Sequence, residues 1–116
     1  MGLLPEYFPD LTGFQWDSGN SEKNWHRHEV TQAECELVFF LRPILLASDA
    51  GHSGREARYF LLGRTGAGRE LTIVFTVRDS LVRVISARPM SRRERRVYGN
   101  LEASEEAPEG DSELPD

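Results

Sequence analysis

The stretch R-V-I-S-A-R-P-M-S-R-R-E-R-R-V-Y, residues 83–98, joins an apolar segment to an arginine-rich segment through a single proline. The β-branched residues before Pro89 are typical of a strand. Ser91 is followed three residues later by Glu94, which is the spacing of a capping box at the start of a helix. The stretch therefore predicts a strand that ends near Arg88 and a helix that begins at Ser91.

The first turn of this predicted helix contains Arg92 and Arg93. The positive end of the helix dipole favours acidic residues at this position, so two arginines depart from the local preference. Such a departure indicates an anionic partner. The alternative is that the arginines only keep an exposed helix solvated.

Charge is distributed unevenly along the chain. Residues 14–98 contain 14 basic and 10 acidic residues, a charge of +4, and the flanks add 9 acidic residues, so the net charge is −5. A basic body is suited to an anionic partner such as RNA. Residues 102–116 contain seven acidic residues and two prolines, which predicts a disordered tail. This tail either only aids solubility or occupies the surface where RNA binds.

The length of 116 residues is sufficient for one compact domain, which we place at residues 13–101, after an irregular lead-in at residues 1–12 tethered by Tyr7 and Phe8. Cys35 is the only cysteine, and its isolation from any base favours buried packing. The sequence has neither metal-ligand spacing nor an apolar run of about 18 residues. We therefore expect a cytoplasmic protein without a metal ion, cofactor or membrane contact.

Two helices are predicted upstream of the sheet. Asp17 follows a short aromatic strand at residues 14–16 and is a suitable N-cap for a polar helix that ends near His28. Thr31 and Glu34 form a second capping box, and the apolar residues that follow have helical spacing. The expected buried face of this second helix consists of Val30, Ala33, Leu37, Val38 and Leu41.

Four further segments have the character of strands. Residues 44–47 form a short apolar run, and longer runs follow at residues 58–64, 70–77 and 82–88. The turns between the longer runs predict an antiparallel meander. We therefore predict an α+β fold in which this meander, with one or two short strands, packs against the two N-terminal helices, and a C-terminal helix follows. Its expected core contains Leu37, Val38, Leu41, Phe60, Leu62, Ile73, Phe75, Val84 and Ile85.

The course of the meander brings arginines from different strands together. Arg64, Arg69 and Arg88 are expected at the end of the sheet where the Ser91 helix begins. We expect Arg64 and Arg88 to converge there and to bind one phosphate together. The arginines expected at the opposite end are Arg58, Arg78 and Arg83.

Cleavage of RNA by its own 2′-hydroxyl needs proton transfer and cations that stabilise the charge on the phosphate. Arg64 and Arg88 are candidates for the cations because a guanidinium binds two phosphate oxygens. His28 is a candidate for proton transfer because histidine titrates near neutral pH, and Tyr98 for placing its hydroxyl over the sheet. The alternative role is ion pairing for the two arginines, helix capping for His28 and core packing for Tyr98. Further RNA contacts are expected from Arg27, Arg69, Arg92 and Arg93.

Four motifs taken together resemble the BrnT toxins of bacterial type II toxin-antitoxin systems. They are F-x-W-D from Phe14, N-x-x-R-H-x-V from Asn24, R-Y-F-L-L-G from Arg58, and R-V-I-S-A-R from Arg83 with the later E-R-R-x-Y. The resemblance implies a compact RelE-like ribonuclease fold, an RNA substrate and inhibition of translation. It also implies a BrnA-like antitoxin that neutralises the toxin, and it implies that the toxin binds DNA only as part of the complex with this antitoxin.

The chain departs from the common pattern of these toxins at three positions. Asn20 and Arg27 stand where relatives commonly have lysine, and Glu29 stands where they have glycine. Arg27 keeps the charge, whereas Asn20 does not. A second hypothesis is therefore a degenerate toxin, a non-catalytic module that binds RNA or the antitoxin and acts in autoregulation of the operon.

Overall fold

The computed structural model describes residues 4, 7–20, 27–48 and 56–106. Within these ranges the chain forms an α+β fold, as predicted, with five strands and two helices. The strands are β1 (Gly13–Phe14), β2 (Leu45–Ser48), β3 (Tyr59–Arg64), β4 (Glu70–Arg78) and β5 (Leu81–Pro89), and the helices are α1 (Gln32–Phe40) and α2 (Arg92–Glu106). Neither helix is long and apolar enough to cross a membrane.

The five strands form one sheet in the order β1-β5-β4-β3-β2. The predicted meander of β3, β4 and β5 is confirmed, and β2 adds to it as an antiparallel edge strand. The sheet is mixed, however, because β1 pairs with β5 in parallel. Apolar periodicity identifies a strand but not its direction, so the sequence alone did not reveal this parallel pair.

The two helices lie on opposite faces of the sheet. Gly63 of β3 faces α1, since a Cβ atom there would lie only 2.6 Å from Cγ1 of Val38. The neighbouring residue Leu62 points to the other face, because side chains alternate along a strand. There it forms a second apolar cluster with Met90 and with Tyr98 of α2. The sheet therefore separates the surroundings of α1 from those of α2.

The predicted core is confirmed in part. Val38, Leu62, Ile73, Phe75 and Val84 are buried, while Leu41, Phe60 and Ile85 are only half-buried. The prediction was wrong for Leu37, which is 39% exposed, and for Ala33, which is also exposed. The buried side of α1 consists instead of Cys35, Val38 and Phe39.

The phase of α1 is set by its aromatic residues. The ring of Phe39 packs edge-on against Phe14 and Phe75, with centroids 5.2 Å apart in both pairs. Residues 37–41 are all apolar, so their spacing does not tell which of them faces the sheet. The ring of Phe39, which is larger than the side chain of Leu37, takes the buried position, and Leu37 is turned outward.

The N-terminal lead-in contributes to the core. Leu4 and Leu11 are fully buried, and Phe8 packs edge-on against Tyr59 with the ring centroids 5.1 Å apart. Tyr7, which we expected to tether this segment, is 45% exposed. Phe8 is thus a tether as predicted, whereas the other anchors are the two leucines.

Two predicted boundaries differ from the structure. Where the Asp17 helix was predicted to begin, residues 18–20 form a turn, and the Asp17 carboxylate accepts a hydrogen bond from the Gly19 amide at 2.8 Å. The rest of that predicted helix falls largely on residues 21–26, which lie outside the described residues. Helix α2 continues to Glu106, beyond the expected domain end at Leu101, because Leu101 still packs on the second cluster. Residues 107–116 of the predicted tail lie outside the described residues.

The close approach of α1 to β3 makes Gly63 a sensitive position. We expect Gly63→Ala to destabilise the fold by about 1–3 kcal/mol, because overpacking forces side chains or backbone to shift. Thermal unfolding of both proteins measures the effect. Gly66→Ala is the control, since its Cβ would meet Leu37 at an ordinary 3.6 Å. Equal melting temperatures for Gly63→Ala and the parent chain would contradict this packing.

Candidate active site

The sheet brings three arginines to one end, as the sequence predicted. Arg64, the last residue of β3, pairs with Glu70 at the start of β4, and Arg88 near the end of β5 pairs with Thr72. Directly paired residues share a face, and so do residues two apart on one strand. Arg64 and Arg88 therefore lie on the same face of the sheet, which is the face that α2 covers.

Arg88 forms a two-pronged ion pair with Glu94 in the first turn of α2. Its Nη1 donates to Oε1 at 2.7 Å and its Nη2 to Oε2 at 2.9 Å. The same carboxylate accepts hydrogen bonds from the Thr72 hydroxyl and the Ser91 amide, both at 2.8 Å. The amide of Glu94 in turn donates to the Ser91 hydroxyl at 3.1 Å, which confirms the predicted capping box.

This set of donors keeps both members of the pair ionised. The Arg88 guanidinium, helped by the Ser91 amide and the Thr72 hydroxyl, lowers the pKa of Glu94 to about 2. The hydrogen bond from Arg88 to Glu94 raises the pKa of Arg88 above its ordinary value. One carboxylate thus links β4, β5 and the start of α2.

Arg69 repeats this arrangement at the start of α1. Its Nη1 donates to both carboxylate oxygens of Glu34 at 3.2 Å, and Glu34 is the second half of the predicted capping box with Thr31. The same guanidinium donates to the carbonyl oxygens of His28 at 2.9 Å and Glu29 at 2.8 Å. Arg69 therefore fastens the segment before α1 to the sheet.

Arg64 has weaker partners. Its Nη2 donates to the Arg42 carbonyl oxygen at 3.2 Å, and its Nε lies 3.5 Å from the carboxylate of Glu102 in α2. Glu102 and Glu94 are eight residues apart in this helix, a distance of about 12 Å at 1.5 Å per residue. Arg64 and Arg88 thus contact the same helix two turns apart. The two guanidinium groups therefore do not meet at the start of α2, as we had expected.

Tyr98 points into the second apolar cluster. The residue is fully buried, and its hydroxyl donates to the Pro43 carbonyl oxygen at 2.6 Å. Burial raises the pKa of Tyr98 to about 12, and the nearby Glu102 adds to this shift. The phenol therefore stays protonated at neutral pH and holds the chain between α1 and β2.

His28 lies on the other side of the site. It is half-buried in the segment before α1, and its carbonyl oxygen ties it to Arg69 at the arginine end of the sheet. Arg27 beside it is exposed. Arg64, Arg88 and Tyr98 belong to the α2 face, whereas the backbone of His28 leads into α1 on the opposite face.

The outer side of α2 carries arginines that have no partner among the described residues. Arg92, Arg93 and Arg96 are all exposed, and we refer to them as the basic face of α2. Arg95 differs, because its Nη1 donates to the Met90 carbonyl oxygen at 2.7 Å. Arg96 was not among the residues predicted from the sequence, although its position three and four residues after Arg93 and Arg92 places it on the same helix face.

The opposite end of the sheet is also ion-paired. Arg78 donates to Glu56 at 2.6 and 2.9 Å, and Arg83 donates to Asp17 at 2.8 and 3.2 Å. These contacts agree with the predicted placement of Arg78 and Arg83 away from Arg88. The Arg78 pair is exposed on both sides, so it contributes little to stability.

Two departures from the toxin pattern have structural explanations. Asn20 is buried, where its Nδ2 donates to the carbonyl oxygens of Val84 at 3.0 Å and Gln15 at 3.1 Å. It therefore supports the edge of β5 and does not face solvent. Glu29 has φ of 56°, in the left-handed region that favours glycine, which is the residue that the resemblance implies for this position.

Other reactive groups give no additional site. Cys35 is buried, and burial raises the pKa of its thiol to about 12, which confirms its predicted role in packing. Among the described residues, no group of three or more His, Cys, Asp and Glu side chains is arranged to hold a metal ion.

Comparison with known proteins identifies the class to which this chain belongs. A family model described as the ribonuclease toxin, BrnT, of type II toxin-antitoxin systems matches residues 16–94, which extend from the end of β1 to Glu94. The class is thus that of the ribonuclease toxins, whose systems include an antitoxin partner. The chain belongs to the BrnT family, as its motifs indicated. A search of curated protein sequences finds no match.

The pKa of Glu94 predicts an acid-dependent loss of stability. A lowered pKa means that the pair stabilises the fold above pH 4.5, the ordinary value, and that this contribution is lost as the pH falls toward 2. We expect Glu94→Gln to lower stability at pH 7 by about 1–2 kcal/mol and to flatten the change between these two pH values. Urea unfolding at several pH values measures both effects.

Glu56→Gln is the matched control because Glu56 also binds an arginine through two oxygens, but on the exposed surface. Its unfolding free energy should change little at pH 7. An unchanged acid profile in Glu94→Gln would show that the Arg88 pair does not contribute to stability.

Proposed function

We propose that the protein is an endoribonuclease toxin that cleaves RNA without a metal ion, and so inhibits translation, on a RelE-like fold. In this reaction the ribose 2′-hydroxyl loses its proton to a base while its oxygen bonds to the neighbouring phosphorus. The bond from phosphorus to the 5′-oxygen breaks, this oxygen takes up a proton, and a 2′,3′-cyclic phosphate remains. The observation that carries the proposal is the match of residues 16–94 to the BrnT ribonuclease toxins. The arginine end of the sheet, next to the basic face of α2, supports it as a place for an RNA phosphate.

Arg88 is the proposed cation that stabilises the charge on the phosphate at the cleavage site, since a guanidinium remains charged at all relevant pH values. Arg64, which contacts α2 two turns away, is the proposed cation for a neighbouring phosphate of the same RNA. His28 is the proposed group for proton transfer, which requires RNA to reach around the end of the sheet that Arg69 occupies. Tyr98 is buried, so we assign it a supporting role, in which its hydroxyl fixes the Pro43 carbonyl beside Arg64.

The basic face of α2 is the proposed docking surface for the RNA backbone, together with Arg27. Its three arginines are exposed and unpaired among the described residues, whereas Arg69 is held by Glu34 and two carbonyl oxygens. Arg69 therefore contributes to RNA binding mainly by positioning the His28 segment. We further propose that a BrnA-like antitoxin in the cytoplasm neutralises the toxin and that the toxin reaches DNA only in that complex.

Two observations favour a second function, that of a non-catalytic module that binds RNA or the antitoxin. The arginines at the sheet end already bind internal acceptors, as Arg88 does with Glu94 and Arg69 with Glu34. In addition, Asn20 is buried where relatives commonly have lysine. Cleavage of RNA in the presence of EDTA separates the two functions, because the non-catalytic module leaves the RNA intact.

Arg88→Ala should reduce RNA cleavage in EDTA and growth arrest in cells at least tenfold, because the charge on the phosphate loses its partner. Arg88→Lys should restore only part of the activity, since a point charge cannot replace the planar fork. Gel analysis of a defined RNA measures cleavage. Arg58→Ala, at the opposite end of the sheet, is the control. Equal activity of Arg88→Ala and the parent chain would exclude Arg88 from the mechanism.

Replacing Arg92, Arg93 and Arg96 together by Ser should weaken RNA binding and its dependence on salt. Each phosphate contact contributes about 0.7 to the slope of log K against log salt for single strands, so we expect a slope smaller by about 2. Fluorescence anisotropy at several salt concentrations measures this slope. The control replaces Arg58 and Arg78 by Ser at the other end of the sheet. An unchanged slope in the triple variant would show that the RNA backbone does not bind to the basic face of α2.

A further inference from the structure

The guanidinium of Arg88 has a second fork that Glu94 does not use. Glu94 binds the end formed by Nη1 and Nη2, and Nη1 also donates to the Pro89 carbonyl oxygen at 3.3 Å. The Nε hydrogen and the second Nη2 hydrogen have no acceptor among the described residues. These two hydrogens are parallel, and together they match two oxygens of a phosphate or carboxylate.

We propose that Glu94 is a positioning residue that fixes the plane of the Arg88 guanidinium, so that its free fork receives one phosphodiester group of RNA. The inference rests on the proposed function, because it assigns the substrate contact of Arg88 within that site. In this arrangement the pairing of Arg88 with Glu94 does not exclude the substrate. One edge of the guanidinium binds the protein, and the adjacent edge binds the phosphate.

The position of Glu94 is fixed by groups on three elements. The Thr72 hydroxyl reaches it from β4, the Ser91 amide from the start of α2, and Arg88 from β5. The Glu94 side chain is 24% exposed and that of Arg88 is 33% exposed, so the pair is held firmly while one side of the guanidinium remains open to solvent. A fork fixed before RNA arrives loses less conformational freedom on binding.

Arg78 provides the opposite case within the same sheet. It uses Nε and Nη2, the fork that is free in Arg88, to bind Glu56 at 2.6 and 2.9 Å. An arginine held in that way has no side fork left for a phosphate. The edge by which a carboxylate holds the guanidinium therefore decides whether the arginine can also bind the substrate.

The test compares Glu94→Gln with Glu56→Gln in the full chain. A glutamine amide has one acceptor oxygen, so it can accept from only one of Nη1 and Nη2. The guanidinium of Arg88 then loses the two-point contact that fixes its plane. We expect Glu94→Gln to lower kcat for cleavage of a short RNA in EDTA at least tenfold and to change KM less than threefold. Both constants are measured at a temperature where thermal unfolding shows that the variant is folded. Glu56→Gln should remain within twofold of the parent chain in both constants.

A second measurement follows the fork itself. The Nε–H signal of Arg88, assigned by its absence in Arg88→Lys, is recorded by NMR during titration with a 2′-O-methyl RNA that cannot be cleaved. We expect this signal to shift in the parent chain and in Glu56→Gln, and not in Glu94→Gln. A role of Glu94 limited to capping α2 would leave the shift unchanged.

The two measurements separate the inference from the proposed function. A parent chain that cleaves RNA, together with a Glu94→Gln variant of equal kcat and equal Nε–H shift, overturns the inference and leaves the function intact. A parent chain that does not cleave, but shows an Nε–H shift that Glu94→Gln abolishes, overturns the catalytic function and supports the inference. The absence of both cleavage and shift in the parent chain overturns both.

Discussion

The structure depends on one repeated interaction, in which a glutamate in the first turn of a helix binds an arginine at the end of the sheet. Glu34 does so for α1 with Arg69, and Glu94 does so for α2 with Arg88. Each glutamate also caps its own helix, so one carboxylate satisfies a backbone amide and neutralises a guanidinium. The two helices, which lie on opposite faces, are thereby fixed to the same end of the sheet.

This interaction explains why the arginine-rich helix is stable despite Arg92 and Arg93 in its first turn. The acidic group that the helix dipole requires is Glu94, and it is strengthened by the capping hydrogen bonds and the Arg88 pair. Arg92, Arg93 and Arg96 are directed outward, where they form the basic face of α2. The charges that hold the fold together are thus separated from those that remain available to an anionic partner.

The sequence predicted the elements of the fold well and the candidate site only in part. Both capping boxes, the meander and the common end of Arg64, Arg69 and Arg88 followed from local spacing, because these signals lie within a few residues of one another. Ion pairing of these arginines was only an alternative at that point. The pair of Arg69 with Glu34 did not follow from the sequence, since these residues are 35 positions apart in the chain. The outward turn of Leu37 also depended on packing against aromatic residues far away in the sequence.

The sequence by itself determined the strands and helices, their order and the family to which the chain belongs, because apolar periodicity, capping residues and short motifs are local properties. Only the tertiary structure decided that the sheet lies between α1 and α2 and that Tyr98 is buried. It also decided that Arg88 is held by one edge of its guanidinium while the other edge meets no acceptor among the described residues. These features arise from contacts between distant segments, and their geometry is set by close packing, which no local pattern encodes.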